Sequence, residues 1–407
     1  VRSSGFTVLL AALLLAGTAP PAASSSGAPV RGKVTVRRIS PAAWSVDFAL
    51  DRPVVGIDFG PPIERYRTAA WKVLTAGLAL AEKDGTERLA SDGRPFDRAR
   101  LEVGLYSAFP PDHYVPSARF SDGGAALFLG YFDGEAMTAG GKADLSLGFE
   151  VRGRAGETAL APAGARRGEP VFAYFGPRPP FDAGRARLVV DPGAPAWLVA
   201  GIRDVVSKVT PIYEDRLGRR LDEAPLVLVA AGEIDSIDGY SNKGGAINGQ
   251  ILLTLRGRAL AAESAALRSA IEKLLAHELA HLWQEGGSPT PFSDGEPWIH
   301  EGGAEALGVE GLAAAGLWSR EDAATAGTAA ARDCADRLGG ADLEEVVAGG
   351  GWEAVYSCGH ALFAPHGAEV FAVWAALIRA ASERQAPYSR ALLDEILAER
   401  APGSGRD

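Results

Sequence analysis

The sequence predicts an α+β protein in two parts: an N-terminal, mainly antiparallel β domain over residues 30–180, then a helix-dominated domain over residues 181–400. Three observations predict this. Short runs rich in β-branched and aromatic residues, punctuated by Gly, Pro and Asp, fill the first part. From Leu260 onward the text is rich in Ala, Leu, Glu and Arg, with apolar residues at helical spacing. Between them, Phe175-Gly176-Pro177-Arg178-Pro179-Pro180 reads as a boundary. A chain of 407 residues exceeds the usual size of one domain, so two separate cores are expected.

Residues 1–23 read as a secretory signal peptide. Arg2 precedes an apolar run from Gly5 to Gly17, and small residues and prolines follow from Thr18 to Ala23. The expected location is therefore the periplasm, the cell envelope or the outside of the cell. The run from Gly5 to Gly17 is short for a membrane span and no later stretch approaches roughly 18 uninterrupted apolar residues, so a soluble exported protein is expected over an integral membrane one, with retention as an uncleaved anchor the alternative. A net charge of −10 argues against a nucleic-acid partner, which would be met by a surplus of Lys and Arg. In an exported chain the two cysteines, Cys334 and Cys358, read as one disulfide, with two separate buried thiols as the alternative.

After a Ser/Gly/Pro linker, strands are expected at Lys33–Arg37, Trp44–Leu50, Ala125–Leu129 and Asp144–Glu150. This part has no evident cluster of catalytic residue types. Beyond the boundary, Trp197–Leu217 has helical spacing, while Pro225–Ala230 and Gln250–Leu255 are strand-like. Further helices are expected near 260–285, 299–315, 319–338, 355–364, 367–382 and 388–399.

The chemistry concentrates in the first of these helices. In Ala270–Trp283 nothing interrupts the helical pattern, so His277 and His281, four residues apart in His277-Glu278-Leu279-Ala280-His281, share a face. Two imidazoles so placed can hold one Zn2+, and Glu278 projects beside the metal, where it can take a proton from a bound water. With six His in the chain, such a pattern arises by chance about once in two hundred such sequences, from residue frequencies. A catalytic zinc needs a third protein ligand. Glu301 and Glu305 share a helical face downstream. Glu301 can bind the metal, and Glu305, one turn on, can accept the outer N–H of a zinc histidine or be a solvated helix charge.

With Pro297-Trp298-Ile299-His300-Glu301-Gly302-Gly303-Ala304 following that motif, the sequence resembles the gluzincin metallopeptidases, the family of aminopeptidase N and, more distantly, thermolysin. The resemblance implies a thermolysin-like catalytic domain over residues 181–400, one Zn2+ held by His277, His281 and Glu301, and Glu278 as general base. Nineteen residues separate His281 from Glu301, one more than the family's spacing, which leaves His300 as the alternative ligand. Ala354-Val355-Tyr356-Ser357-Cys358-Gly359 is similar to the segment whose tyrosine stabilises the oxyanion. That role would fall to Tyr356, with His360 as a substitute donor.

Upstream, Lys243–Gly249 precedes a strand and stands where aminopeptidases carry the segment that pairs with substrate. The resemblance assigns Gly245, Ala246 and Asn248 to that role, and a Gly-rich turn is the alternative. Ile247 occupies the place of the glutamate that binds a substrate's amino terminus, so aminopeptidase specificity is not implied. The expected activity is hydrolysis of a peptide or protein substrate. Two other readings stay open: a zinc hydrolase for a non-peptide substrate, and a non-catalytic envelope binding or scaffold protein with a structural or vestigial zinc site.

Overall fold

The structure, a computed structural model, describes residues 28–110, 113–286 and 296–400. The signal-peptide reading of residues 1–23 lies outside the described residues. The first part contains β1 (Val30–Ser40), β2 (Ala43–Val54), β3 (Gly56–Asp58), α1 (Tyr66–Ala70), β4 (Trp71–Val73), β5 (Leu78–Lys83), β6 (Thr86–Ser91), β7 (Phe96–Gly104), β8 (Ser117–Arg119), β9 (Ala125–Phe128), β10 (Glu135–Thr138), β11 (Gly141–Arg152), β12 (Thr158–Leu160) and β13 (Phe172–Gly176). The second contains β14 (Phe181–Ala183), β15 (Ala186–Val190), α2 (Ala196–Arg216), β16 (Leu226–Ala230), β17 (Ser241–Ile247), β18 (Gln250–Arg256), α3 (Ala265–Glu285), α4 (Pro297–Ala314), α5 (Arg320–Leu338), α6 (Leu343–Ala348), α7 (Glu353–Phe363), α8 (Val370–Arg384) and α9 (Arg390–Arg400).

The N-terminal strands form a nine-stranded sheet, ordered β4-β7-β2-β1-β11-β10-β3-β6-β5, and a four-stranded sheet, β12-β13-β9-β8. All their pairings are antiparallel except β1 with β11, which run parallel with Val34 opposite Phe149. In β2 and β11 buried and less buried residues alternate along the strand, as one packed face requires. Two buried arginines tie the loops to this core. Arg67 pairs with Glu87 at 2.7 Å and donates to the Tyr131 carbonyl, and Arg38 donates to the carbonyls of Pro41, Gly123 and Phe175. The fold is α+β, with these sheets followed by a helix-dominated part.

A five-stranded sheet, β14-β15-β16-β18-β17, opens the second part. Its inner strands are parallel, and β17 runs antiparallel along one edge. Helices cover one face, where Val227, Val229, Ile251 and Leu253 join the helical core. The other face, with Leu226, Leu228, Ala230 and Leu252, packs into the core of the N-terminal sheets. Burial on both faces explains why β16 reads as an unbroken apolar run and β18 as a nearly continuous one.

Segment 243–249 differs from expectation. It does not merely precede a strand: Ser241–Ile247 is itself the edge strand, and Asn248 and Gly249, with φ of 46° and 77°, form the two-residue turn into β18. Asn-Gly with both φ positive suits a hairpin of this hand. Gly245 and Ala246 are strand residues, but Asn248 lies in the turn, where its side chain donates to the Pro170 carbonyl.

Helix α3 starts at Ala265, later than the pattern suggests, because a 3-10 turn occupies Arg258–Ala261 and the Ser264 hydroxyl caps the Leu267 N–H. Helix α4 starts earlier, with Pro297 in its first turn. The short helix α6 is not predicted. By length and composition Glu353–Arg384 is apolar enough to cross a membrane. It is broken into α7, a 3-10 segment and α8, with Gly367 at φ 48° and ψ −131°, and its Val355, Phe363, Trp374 and Leu377 lie in the helical core.

Cys334 of α5 and Cys358 of α7 form a disulfide across a separation of 24 residues. Closing a loop of that length removes about 3 kcal/mol of chain entropy from the unfolded state. A Cys334→Ser/Cys358→Ser variant is therefore expected to lose about 3 kcal/mol of stability, read by denaturant unfolding. A midpoint unchanged from the oxidised protein would show that the bridge adds nothing.

Candidate metal centre

Helix α3 is buried almost all round from Ile271 to Gln284, as a helix packed between a sheet and other helices should be. It brings His277 and His281 to one face, with exposures of 0% and 6%. Helix α4 is buried from Pro297 to Val309 and carries glycines at each close approach. A Cβ on Gly302 would lie 2.1 Å from the Cα of Gly359 in α7, and one on Gly303 would lie 2.0 Å from the Trp374 ring in α8. Interior glycines cost a helix about 1 kcal/mol each. Here Gly302 lets α4 touch α7 backbone to backbone and Gly303 makes room for the Trp374 ring of α8, which seats Glu301 opposite the α3 histidines.

The result is a triangle of lone-pair atoms. The Nε2 atoms of His277 and His281 are 2.9 Å apart, and Glu301 Oε2 is 3.2 Å from the first and 3.3 Å from the second. Among the described residues these three are the His/Cys/Asp/Glu group that could hold a metal ion. Ligands of a tetrahedral zinc at 2.0–2.1 Å stand about 3.3–3.4 Å apart, close to these edges. Glu301 Oε2 is buried, yet no donor is aligned on it as a hydrogen bond. Two imidazole nitrogens facing each other and a carboxylate oxygen without an aligned donor are the donor set a cation satisfies, so the residues fit a zinc ion.

Groups behind the triangle fix its orientation. His281 Nδ1 contacts Gln284 Oε1 at 2.7 Å, and Gln284 Nε2 donates to the His300 carbonyl. An N–H on His281 Nδ1 leaves its Nε2 lone pair facing the triangle. His277 Nδ1 is 3.1 Å from Glu305 Oε1, and Glu305 also pairs with Lys273. Glu305 is thus buried beside His277, not a solvated charge. Burial opposes its ionisation, but Lys273 and His277 hold it well below the usual carboxylate range. Burial likewise opposes ionisation of Glu301, and His281, His277 and His300 keep it charged.

His300 does not enter the triangle. Its ring stacks on His281 with centroids 4.3 Å apart, and its Nδ1 is 3.5 Å from the other oxygen of Glu301. Burial and the neighbouring His281 push its pKa down to about 4.

Glu278 is 1% exposed, and the Ala246 N–H of the edge strand donates to its carboxylate. A Cβ on Gly244 would stand 2.5 Å from Glu278 Oε1, so that glycine makes room for the carboxylate. Burial and then Glu301 raise the pKa of Glu278, against the two histidines, which lower it. Such a group is a better proton acceptor than an ordinary carboxylate. Ile247 packs in the core shared with the N-terminal sheets. Tyr356 is half-buried, with its ring centroid 6.1 Å from that of His277. His360, four residues on, lies 3% exposed on the same helix.

The site also draws on residues the sequence reading does not single out. Gln284 and Lys273 stand three residues after His281 and four before His277, a helical spacing that could have flagged them. Tyr114 comes from the N-terminal part: its hydroxyl donates to the Ala246 carbonyl at 2.8 Å, and its ring packs where Gly245 has no side chain. No local pattern identifies it.

No family model and no curated protein matches the chain by sequence. Among solved structures it is similar to an M1 zinc metallopeptidase from Deinococcus radiodurans, at 16% identity over 93% of this chain and 91% of that one, with a TM-score of 0.45. It is similar also to leukotriene A4 hydrolase from Saccharomyces cerevisiae, at 13% identity over 92% of this chain and 65% of that one, with a TM-score of 0.48. A third is an aminopeptidase N family protein from Idiomarina loihiensis, at 11% identity over 72% and 56%, with a TM-score of 0.44.

A proton and a metal ion would compete for the triangle. Burial alone would lower the pKa of His277, but Glu301 and Glu305 overcome it and push it up to about 10 without a metal. Below that pH, metal binding must displace this proton. Apparent zinc affinity is therefore expected to rise about ten-fold per pH unit from 6 to 9, with one proton released per ion. Calorimetric titration in buffers of different ionisation enthalpy reads the release. A pH-independent affinity would remove His277 from the ligand set.

Proposed function

We propose that the chain is an exported, zinc-dependent peptidase acting on peptide or protein substrates. The buried triangle of His277, His281 and Glu301, with the carboxylate of Glu278 held beside it, carries this reading. One Zn2+ would be held by these three residues, leaving a position for water; when bound it lowers the pKa of that water and polarises the scissile carbonyl.

The chain's own residues supply the rest. Glu278 takes the proton of the attacking water and delivers it to the leaving amine. Its burial and the Ala246 N–H keep the carboxylate in place for both transfers. Tyr356, at the half-buried rim, donates to the oxyanion as it develops. Glu305, braced by Lys273, holds the His277 ring, and Gln284 holds that of His281. The edge strand β17, through Gly245 and Ala246, is where an extended substrate would lie. Ile247, sunk in the core, offers no charge to a substrate's amino terminus, which favours cleavage not tied to that group.

Export rests on residues 1–23 and is supported by the Cys334–Cys358 disulfide, since such bonds persist in oxidising compartments. No nucleic-acid partner is proposed, given the net charge of −10.

The test is metal analysis of the purified chain, beside a library of peptides, esters and epoxides. One zinc per chain is expected, with peptide cleavage lost on chelation and restored by zinc. Cleavage of esters or epoxides alone would assign a different hydrolase. Bound zinc without turnover of any class would make the site structural.

A further inference from the structure

Between α4, α5, α7 and the 3-10 segment Ala364–Glu369 lies a cavity of about 640 Å3. This is the size of a small-molecule site. Its wall is apolar and built from small or compact side chains, among them Ala306, Val309, Ala323, Gly327, Phe363 and Val370. Helix α5 buries only Ala323 and Gly327. A Cβ on Gly327 would come 2.9 Å from that of Ala364, so the glycine sets how closely α5 approaches.

Small residues alone would be a packing defect. The second observation is His360, which lines the cavity at 3% exposure. Neither of its ring nitrogens has a hydrogen bond or ion pair among the described residues. Burial, then the nearby Lys273, push its pKa down to about 4, so the ring is neutral and offers one N–H and one lone pair. Its ring lines the cavity, where a ligand's polar group can meet those nitrogens. The remaining polar groups of the wall are engaged: Arg320 pairs with Glu310, and the Thr328 hydroxyl donates to the Ala324 carbonyl. None of the three metal-ligand residues lines this space.

We propose that this cavity binds a small, mainly apolar molecule carrying a single hydroxyl group, which hydrogen-bonds to His360. The neutral ring of His360 in a wall of mainly apolar side chains favours such a ligand over a charged one. The site does not depend on the hydrolytic reading, because binding is measured without turnover.

The experiment titrates the full chain with 4-butylphenol and with butylbenzene, followed by calorimetry and by the ligands' NMR signals. The phenol is expected to bind about ten-fold tighter, the worth of one recovered hydrogen bond. His360→Phe should bring the two affinities together, and Ala324→Trp, on the exposed side of α5, should weaken both by filling the cavity. Thermal melting checks that each variant folds. If His360→Phe does not fold, Ala324→Trp decides alone. Equal affinities in the wild type, no saturable binding, a phenol affinity untouched by His360→Phe, or probe binding untouched by Ala324→Trp would each overturn the proposal.

Discussion

A Glu278→Gln variant is expected to lose hydrolysis on the order of 1,000-fold while binding zinc as the wild type does. Glutamine has the shape of glutamate and fits the space opened by Gly244, where a Cβ would stand 2.5 Å from Glu278 Oε1. Its amide oxygen can still accept the Ala246 N–H. What it cannot do is take a proton from water. The three converging atoms belong to His277, His281 and Glu301, so the metal should stay. Steady-state kinetics and metal stoichiometry on one preparation give both readouts. Undiminished turnover would end the role of Glu278 as base, and loss of zinc would place its carboxylate among the ligands.

The second large effect is on architecture. Gly302→Ala puts a Cβ 2.1 Å from the Cα of Gly359, a backbone atom that cannot rotate away. Alanine improves helix propensity by about 1 kcal/mol, but overpacking at the tightest contacts costs about 3 kcal/mol, so the clash wins. The net loss of about 2 kcal/mol should lower the melting temperature by about 6 °C, at roughly 2–4 °C per kcal/mol for a domain of this size. Helices α4 and α7 would part, drawing Glu301 from the histidines and moving Tyr356, so zinc affinity should fall too. Gly308→Ala is the comparison: its Cβ would stand 3.1 Å from the His277 backbone N, and a much smaller loss is expected. Equal melting of the two variants would show that the α4–α7 contact is not the constraint.

How much of this was legible depends on whether the information was local. The helix of His277 and His281 was, because i,i+4 spacing puts two imidazoles on one face wherever a helix forms. The α/β division was, because a switch in hydrophobic period marks it. The edge strand was legible only through the family resemblance, because Gly244-Gly245 looks locally like a turn, and Asn248 falls in the hairpin turn itself. Those glycines instead accommodate Glu278 and Tyr114, partners 34 and 131 residues away from Gly244 and Gly245 respectively. Helix α4 was legible, but the reason for its glycines, the close approach of α7 and α8, is not local. Likewise the parallel pairing of β1 with β11 joins segments more than a hundred residues apart, which no local pattern records.

The five-stranded sheet has oil on both sides, and that bears on the order of assembly. Residues 30–176 precede β14 along the chain, and N-terminal units tend to fold first. When β16 and β18 emerge, Leu226, Leu228 and Leu252 meet a surface already made, while the opposite face still awaits α3. The N-terminal sheets thus serve the later half as a template. Cut away, they would leave that apolar face of the sheet bare and prone to aggregation.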